Sequence, residues 1–269
     1  MKKTKLVSLV LLGALTIGLV GCGGSDKDDK KITIGVSAVP HEEIVNAIKP
    51  LVEAEGFTLD VKVYDDYVTP NTAVADGEID ANYFQHIAYL NETNESKGLD
   101  LVNAAEIHIE PMAIYSKKIK DLKDLKDGDT IAVPNDPTNE ARALKLLQSA
   151  GLIKIKDGDL VTPKDITENP KSLKFSELEA AQLPRSLDDV AAAVINGNYA
   201  LQGGLDATKD GIFIEDKNDV NMKERRNILA VKKGKEDSVK TKALKKALTS
   251  DDCRKFIEEK YHGTVIPVF

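Results

Sequence analysis

The sequence predicts an α/β fold built as two lobes. Segments with the alternating apolar pattern of strands take turns with segments that have helical spacing. This alternation stops at a polar stretch, 117–129, and then restarts. A chain of 269 residues is long enough for two domains of ordinary size. Because strands joined by helices tend to run parallel, we expect mainly parallel sheets with helices on both faces.

The part of the chain before the polar stretch begins the strand and helix alternation. The predicted strands are 32–36, 59–63, 79–84 and 101–105, and the predicted helices are 41–55, 70–75 and 87–96. An extended stretch, 106–116, comes next, and Pro111 interrupts it.

The pattern restarts after Asp127-Gly128. The predicted strands are 130–133, 173–178, 191–195, 212–214 and 227–231, and the predicted helices are 137–149 and, in two pieces, 238–261. Asp136 is the expected N-cap of the first of these helices, with Pro137 at its first position. Cys253 is expected to be a buried small hydrophobe in the last helical stretch.

We assign lobe one to residues 32–116 together with 224–269, and lobe two to residues 117–223. With this division the chain crosses twice between the lobes, which makes a hinge possible.

The N-terminus is typical of an exported protein. Basic residues precede a charge-free run, 6–20, that is too short at 1.5 Å per residue to cross a ~30 Å hydrocarbon core. Residues 1–21 are the predicted signal peptide, and 22–31 are a flexible tether rich in Gly and Asp. The run ends in Leu19-Val20-Gly21-Cys22, which resembles the bacterial lipobox, and this implies a diacylglyceryl group on Cys22. An ordinary signal peptide followed by a chance cysteine is the alternative.

Polar side chains follow several predicted strands, where ligands bind in open parallel sheets. His86 follows strand 79–84, Asn196 follows strand 191–195, and Asn227 lies at a junction between the lobes. Asn139 and Arg142 share a face on the first turns of helix 137–149, where the helix N-terminus and a guanidinium together suit a carboxylate. An amide can accept from an ammonium and donate to a carboxylate.

These polar residues have ordinary structural alternatives. Arg142 could equally form an ion pair with Glu140 or Asp136, and an asparagine often serves a turn or a cap. The aromatic residues Tyr67, Tyr83 and Phe84 offer a polarizable surface that suits sulfur, but aromatic packing in the core is the alternative, favoured for Phe84 alone.

Catalytic and nucleic-acid functions find no support. The sequence has neither a Gly-x-Ser-x-Gly elbow nor a phosphate-binding loop, and a net charge of −7 argues against a nucleic-acid partner. His86, His108 and Glu110 could form a metal site, but their spacing does not support one. We therefore predict no enzyme activity, no cofactor and no metal.

Five segments carry a resemblance to a known family. They are 65–71, 79–86, 134–139, 183–189 and 193–200. They resemble the NlpA family, the methionine-binding lipoproteins of ABC importers, and the similarity runs from the lipobox nearly to the C-terminus. The resemblance implies a type II periplasmic-binding-protein fold, with a ligand cleft between two α/β lobes. The implied partners are L-methionine and an ABC transporter permease with its ATPase.

The resemblance also assigns roles to residues of the head-group site. It implies that Arg142 holds the ligand carboxylate and that Asn196 and Asn227 bind the amino-acid head group. Asn139 and Glu110 are further candidates of the same site.

For the side-chain pocket, the resemblance implies walls formed by Tyr67, Phe84 and His86. Tyr83 departs from the family pattern, and we expect it to reshape the pocket.

The predicted function is that of a lipid-anchored receptor at the extracytoplasmic face of the cell membrane, which captures L-methionine for an ABC importer. A receptor for another amino acid or for a methionine-containing dipeptide is one alternative. A surface adhesin or antigen lipoprotein without a transport role is another.

Overall fold

The computed structural model describes residues 30–269. The predicted signal peptide, most of the predicted tether and Cys22 therefore lie outside the described residues. In the part of the chain that is described, no helix is long and apolar enough to cross a membrane.

The first sheet has six strands. In spatial order they are β13 (Ile266–Pro267), β4 (Leu101–Ile109), β12 (Arg226–Lys232), β3 (Ala81–His86), β1 (Lys31–Val36) and β2 (Thr58–Val63). Helices cover both faces, as the alternation along β12 shows. Leu229 and Val231 belong to a core that includes α1 (Glu43–Ala54), α8 (Val239–Leu248) and α9 (Asp251–Tyr261). Ile228 and Ala230 face the opposite side, against α2 (Thr69–Asp76) and α3 (Ile87–Lys97).

The second sheet has five strands. In spatial order they are β11 (Phe213–Ile214), β5 (Ala113–Tyr115), β10 (Ala192–Ile195), β6 (Thr130–Pro134) and β9 (Lys174–Leu178). Its two faces are covered by α4 (Pro137–Ser149) on one side and by α5 (Leu183–Ser186), α6 (Gly197–Gln202) and α7 (Ala207–Asp210) on the other. A separate antiparallel pair, β7 (Lys154–Ile155) and β8 (Ile166–Glu168), completes the strands of residues 30–269.

The expectation of mainly parallel sheets is wrong. In the first sheet β1 pairs in parallel with β2 and β3, but β12 is antiparallel to both β3 and β4, and β13 is antiparallel to β4. The second sheet is also mixed, because β5 is antiparallel to β10 and β11. The chain that returns from the second sheet enters the first one in the reverse direction, which local sequence patterns do not reveal.

The chain passes between the two sheets at two places. Residues 110–112 lead from β4 into β5, and residues 215–225 lead from β11 back into β12. The predicted lobe boundaries stay a prediction, and β5, which we placed in lobe one, pairs within the second sheet.

Two local predictions are confirmed. The Asp136 side chain accepts a hydrogen bond from the backbone N–H of Asn139 at 3.1 Å and so caps α4, with Pro137 at the first helical position. Cys253 is a free, fully buried cysteine in α9.

Candidate functional site

A cavity lies where the carboxyl ends of β3, β4, β6 and β10 meet. Its wall contains all the residues that the sequence suggested for ligand binding: Tyr67, Phe84, His86, Glu110, Asn139, Arg142, Asn196 and Asn227. Their common location is a structural result, and their role in binding stays a prediction at this point.

Arg142 is the cationic group of this cavity. It lies on α4, is only 5% exposed, and donates from Nε to Glu215 Oε1 at 2.9 Å and from Nη2 to both Glu215 Oε2 and the Glu110 backbone carbonyl. The Nη1 group donates to no protein atom within residues 30–269. The suggested ion pair with Glu140 or Asp136 is wrong, because the carboxylate partner is 73 residues away in sequence.

Glu215 fixes the direction of this guanidinium. Its Oε2 also accepts from the Met112 backbone N–H at 3.1 Å. Burial acts to raise the pKa of Glu215, but the charge and hydrogen bonds of Arg142 outweigh burial and hold that pKa below its usual value. The pair is therefore ionised, and the free N–H groups of Arg142 remain on Nη1.

Two amide groups of the cavity wall have unused hydrogen-bonding atoms. Asn196 donates from Nδ2 to Asn139 Oδ1 at 2.8 Å, and Asn198 accepts at Oδ1 from the Tyr67 hydroxyl at 2.5 Å. The remaining Asn196 Oδ1 and Asn198 Nδ2 are buried without a partner in the described part of the chain. Because a buried polar atom without a partner is costly, one open acceptor and one open donor indicate a polar ligand.

Asn139 and His86 form a fixed part of the wall. Asn139 Oδ1 lies 3.1 Å from His86 Nε2, and its Nδ2 donates to Asp136 at 2.9 Å. His86 Nδ1 accepts from the Tyr89 backbone N–H at 3.1 Å and caps α3. Burial, helped by the charge of Arg142, keeps the pKa of His86 well below its usual value, so its ring is neutral.

Glu110 lies on the cavity wall beside two buried histidines. Its Oε1 is 2.7 Å from His108 Nε2 and 3.4 Å from His41 Nε2, and the latter nitrogen is also 3.0 Å from Asn227 Oδ1. Burial lowers the pKa of His41 to about 4 and that of His108 to about 3, so both rings are neutral near pH 7. Burial raises the pKa of Glu110, and the neighbouring His41, the charge of Arg142 and an Asn198 backbone hydrogen bond oppose that rise.

The aromatic side of the cavity is built around Tyr67. Its ring centroid lies 5.8 Å from Phe84, 5.6 Å from Tyr89 and 5.0 Å from Tyr199, and Phe84 lies 6.1 Å from Tyr89. Rings at these separations form a continuous apolar, polarizable wall.

Tyr83 does not reshape this wall, and that expectation is wrong. Successive side chains of β3 point to opposite faces, and Tyr83 is fully buried in the core on the side of α1. Its hydroxyl is hydrogen-bonded to His108 Nδ1.

Comparison with known proteins places the chain in a family. The model of the NlpA lipoprotein family matches residues 32–269. The chain belongs to the NlpA lipoprotein family. The predicted resemblance is thereby confirmed.

Relatives of this NlpA lipoprotein have been named for the ligand they bind. The D-methionine-binding lipoprotein MetQ of Salmonella typhimurium is 44% identical over 270 residues, which cover 97% of this chain and 98% of the relative. The methionine-binding lipoprotein MetQ of Bacillus subtilis is 43% identical, with 100% and 99% covered. A solved structure of a nutrient binding protein from Burkholderia cenocepacia bound to methionine is similar with a TM-score of 0.85 and 44% identity, over 88% of this chain and 100% of that one. These likenesses confirm the predicted α/β binding-protein fold.

The trio His86, His108 and Glu110, which the sequence analysis considered as a metal site and did not support, is not brought together in this NlpA lipoprotein. His86 is bonded to Asn139, and His41 stands with His108 and Glu110 instead. Their potential ligand atoms lie within 4.8 Å of one another. Within the protein, His41 Nε2 is already hydrogen-bonded to Asn227, and His108 Nε2 is hydrogen-bonded to Glu110.

Four residues of the cavity wall and one behind it were not among the predicted site residues. They are Gln85, Tyr89, Gly197, Asn198 and Glu215. Gly197 had a detectable signal, since it lies in a segment shared with the family, and the structure gives the reason for a glycine. A Cβ atom there would lie 2.7 Å from Glu110 Cβ, closer than packing allows. Glu215 had no local signal, because its role depends on a contact distant in sequence.

Proposed function

We propose that this NlpA lipoprotein is a substrate-binding protein that captures L-methionine and delivers it to the permease of an ABC importer. The observation that carries the proposal is a single cavity wall that contains both the Arg142 guanidinium and a cluster of aromatic rings. A cation at one end and an apolar wall at the other suit an amino acid with an apolar side chain. The names of the relatives, which are methionine-binding proteins, support the same ligand.

In this proposal the ligand carboxylate is held at Arg142. Nη1 supplies two N–H groups, and the unpartnered Nδ2 of Asn198 supplies another. A charge-assisted hydrogen bond in a dry cavity is stronger than its neutral equivalent, so this end fixes the ligand's orientation. The open acceptor Oδ1 of Asn196 and the amide of Asn227 suit the α-ammonium group.

The methionine side chain lies against the aromatic wall in this proposal. Sulfur–ring contacts contribute about 0.3–1.5 kcal/mol, and burial of the side chain contributes roughly 1.5–3 kcal/mol. Tyr67, Phe84 and Tyr89 supply these contacts. The uncharged imidazole of His86 lies at the border of this aromatic surface. Because the aromatic part of the wall offers no group to pair with a second charge, acidic and basic amino acids bind poorly.

The role of the protein is capture and delivery, and it carries out no chemistry. Cys22 carries the lipid anchor, and residues 23–31 tether the binding domain to the extracytoplasmic face of the membrane. The transporter's cytoplasmic ATPase is reached only through the permease.

A thermal-shift screen of the full-length lipoprotein in detergent, stripped of bound ligand by unfolding and refolding, tests the proposal. Bound ligand stabilises the folded state in proportion to the logarithm of its concentration over Kd. Among the amino acids and methionine dipeptides, L-methionine should give the largest shift. An equal response to all amino acids, or none, would contradict the function and favour an adhesin or antigen. A larger shift with D-methionine or a dipeptide would correct the ligand.

A further inference from the structure

A second pocket lies beside residues 215–225, the segment that leads from the second sheet back into the first. Lys145 of α4 and Arg225 lie in its wall, and Arg142 is a wall residue of both this pocket and the cavity. Neither Lys145 nor Arg225 has a part in the proposed methionine site. A charge bound in the second pocket therefore lies near the guanidinium that we place at the ligand carboxylate.

Arg225 is a partly buried cation without a counter-ion. Its Nε is buried and has no hydrogen-bond partner, and no carboxylate oxygen lies within 4.0 Å of its guanidinium nitrogens among residues 30–269. Burial and the charge of Arg142 lower the pKa of Arg225 to about 10, although nearby acids act in the opposite direction. The guanidinium is still charged at neutral pH, so its donors are available to an anion.

Lys145 is a second partly buried cation at the same pocket. Its Nζ makes a long contact of 3.4 Å with the Asp159 backbone carbonyl, and in the described part of the chain no carboxylate oxygen lies within 4.0 Å of it. Burial and the charge of Arg225 lower the pKa of Lys145. Two cations that repel each other in a partly buried pocket are stabilised by an anion that contacts both.

The acidic residues of this pocket are directed elsewhere. Asp216 and Asp219 are exposed, and each accepts at Oδ1 from the backbone N–H two positions later, at 2.9 Å and 2.7 Å respectively. Glu215 is bonded to Arg142. The two unpaired cations therefore have no acid of the described chain to neutralise them at close range.

We propose that Lys145 and Arg225 form a second binding site, which takes a small oxyanion, a carboxylate or an inorganic phosphate, and weakens methionine binding when it is occupied. An oxyanion has several acceptor oxygens, so it accepts from the ammonium and from the planar guanidinium at the same time. The effect on methionine rests on the proposed function, whereas the anion site itself does not.

The charge of Arg225 acts on the cavity. Burial is the main cause of the low pKa of His86 in the cavity wall, and the charges of Arg142 and then Arg225 lower that pKa further. The same positive charge favours a carboxylate bound at Arg142. An anion on Arg225 offsets this charge, so the affinity for methionine falls. By linkage, methionine lowers the affinity for the anion by the same factor.

Calorimetric titration of sodium phosphate and, separately, of sodium acetate into the full-length lipoprotein in a non-ionic detergent tests the site. The protein is first stripped of methionine, and chloride keeps the ionic strength constant. Arg225→Gln and Lys145→Gln each remove one cation. Their matched controls are Arg185→Gln and Lys154→Gln, which remove the same charges at exposed positions.

The wild type should bind at least one of the two anions saturably, with a Kd on the order of 1 mM. Binding should weaken about tenfold or more in Arg225→Gln and in Lys145→Gln, because each loses charge-assisted hydrogen bonds, and should stay within about twofold in both controls. Saturating anion should raise the Kd of methionine about fivefold in the wild type and leave it unchanged in Arg225→Gln. The anion that binds more tightly identifies the natural ligand as a free phosphate or a carboxylate.

Several results would overturn the inference. A wild type that binds methionine but neither anion overturns it and leaves the proposed function intact. Anion binding that persists in both cation variants, or that falls equally in the controls, would show accumulation of anions at the surface and no site. A methionine affinity that is the same with and without bound anion would refute the coupling.

Two further outcomes keep the test decisive. If a variant does not fold, the wild type alone decides, because saturating methionine must weaken anion binding by the same factor that the anion weakens methionine binding. A wild type that binds an anion but no methionine contradicts the proposed function and supports the anion site.

Discussion

The carboxylate of Glu215 accepts hydrogen bonds from Nε and Nη2 of Arg142, which leaves Nη1 as the part of the guanidinium that donates to no protein atom among residues 30–269. A long, flexible cation is thereby ordered before any ligand arrives. Pre-ordering of this kind improves affinity, because the side-chain entropy is lost on folding and not on binding.

Arg142→Ala is predicted to weaken methionine binding by about 2–5 kcal/mol, since the ligand carboxylate would then be buried without a cation. Calorimetry on the full-length protein measures the change, and circular dichroism checks the fold. Arg185→Ala, at an exposed position in α5, is the matched control and should bind as the wild type does. An Arg142→Ala affinity within threefold of the wild type would refute the assignment.

Glu215→Ala is predicted to lower the free energy of unfolding of the ligand-free protein by about 3 kcal/mol, because it leaves a buried guanidinium without its counter-ion. Urea denaturation measures this loss. The control is Glu168→Ala, which removes the exposed pair with Lys154 and should change stability by no more than about 0.5 kcal/mol. Equal losses in the two variants would show that the buried Arg142–Glu215 pair stabilises the protein no more than the exposed Lys154–Glu168 pair does.

Phe84→Ala is predicted to narrow the preference for methionine over alanine. It removes contact with the methionine side chain and leaves the contacts to the head group, so methionine should lose affinity by about 1–2 kcal/mol more than alanine does. Competition binding with both amino acids, on wild type and variant, gives the difference. If alanine or glutamate competes as well as methionine on the wild type, the aromatic wall does not select the ligand.

Cys22→Ser is predicted to abolish lipidation. Labelling with a radioactive fatty acid followed by membrane fractionation should show unprocessed precursor or released protein in place of the acylated form. Label that still enters the Cys22→Ser protein would exclude this cysteine as the anchor. Cys253→Ser, which changes the buried cysteine of α9, is the control and should be acylated normally.

Glu140→Gln is predicted to stabilise the protein at alkaline pH. Burial, with the nearby charges of Glu177 and Asp136, raises the pKa of Glu140 to about 7, and its Oε1 is buried without a partner in residues 30–269. The folded state binds a proton that the unfolded state releases above its pKa of 4.5, so this stability is present below that value and is lost as the pH rises from there through about 7. The variant should gain about 1–2 kcal/mol at pH 8, after screening by solvent, and almost nothing at about pH 3.5. Urea denaturation of the variant and the wild type at both pH values measures this gain in the free energy of unfolding. A gain that is the same at the two pH values would contradict the raised pKa.

The sequence predicted elements whose pattern is local. Helix α4 could be located from its cap, its proline and its apolar spacing, and the cavity from the rule that ligands bind beyond the carboxyl ends of strands. Arg142 and Asn196 follow from that rule without any knowledge of the packing. Gln85 and Tyr89 lie on either side of the predicted His86, at the junction of β3 and α3, so a wider search of that junction would have included them.

What escaped prediction depends on contacts between distant segments. The reversed direction of β12 comes from pairing with β3 and β4, which lie more than a hundred residues earlier. The Arg142–Glu215 pair and the Tyr83–His108 hydrogen bond likewise join positions whose local sequence is unremarkable. Side-chain periodicity reports which residues are buried, but not which buried residues meet.

Direct hydrogen bonds join the two sides of the cavity. The Tyr67 hydroxyl donates to Asn198, the Tyr199 hydroxyl donates to the Asp65 backbone carbonyl at 3.0 Å, and His86 is bonded to Asn139. A ligand that is enclosed by these contacts can enter or leave only while they are broken. Opening therefore limits the association rate constant to below the diffusional ceiling of about 10⁹ M⁻¹ s⁻¹, and the same opening slows release. The residence time of the ligand is then set in part by hydrogen bonds between the two sides of the cavity, in addition to the contacts that the ligand itself makes.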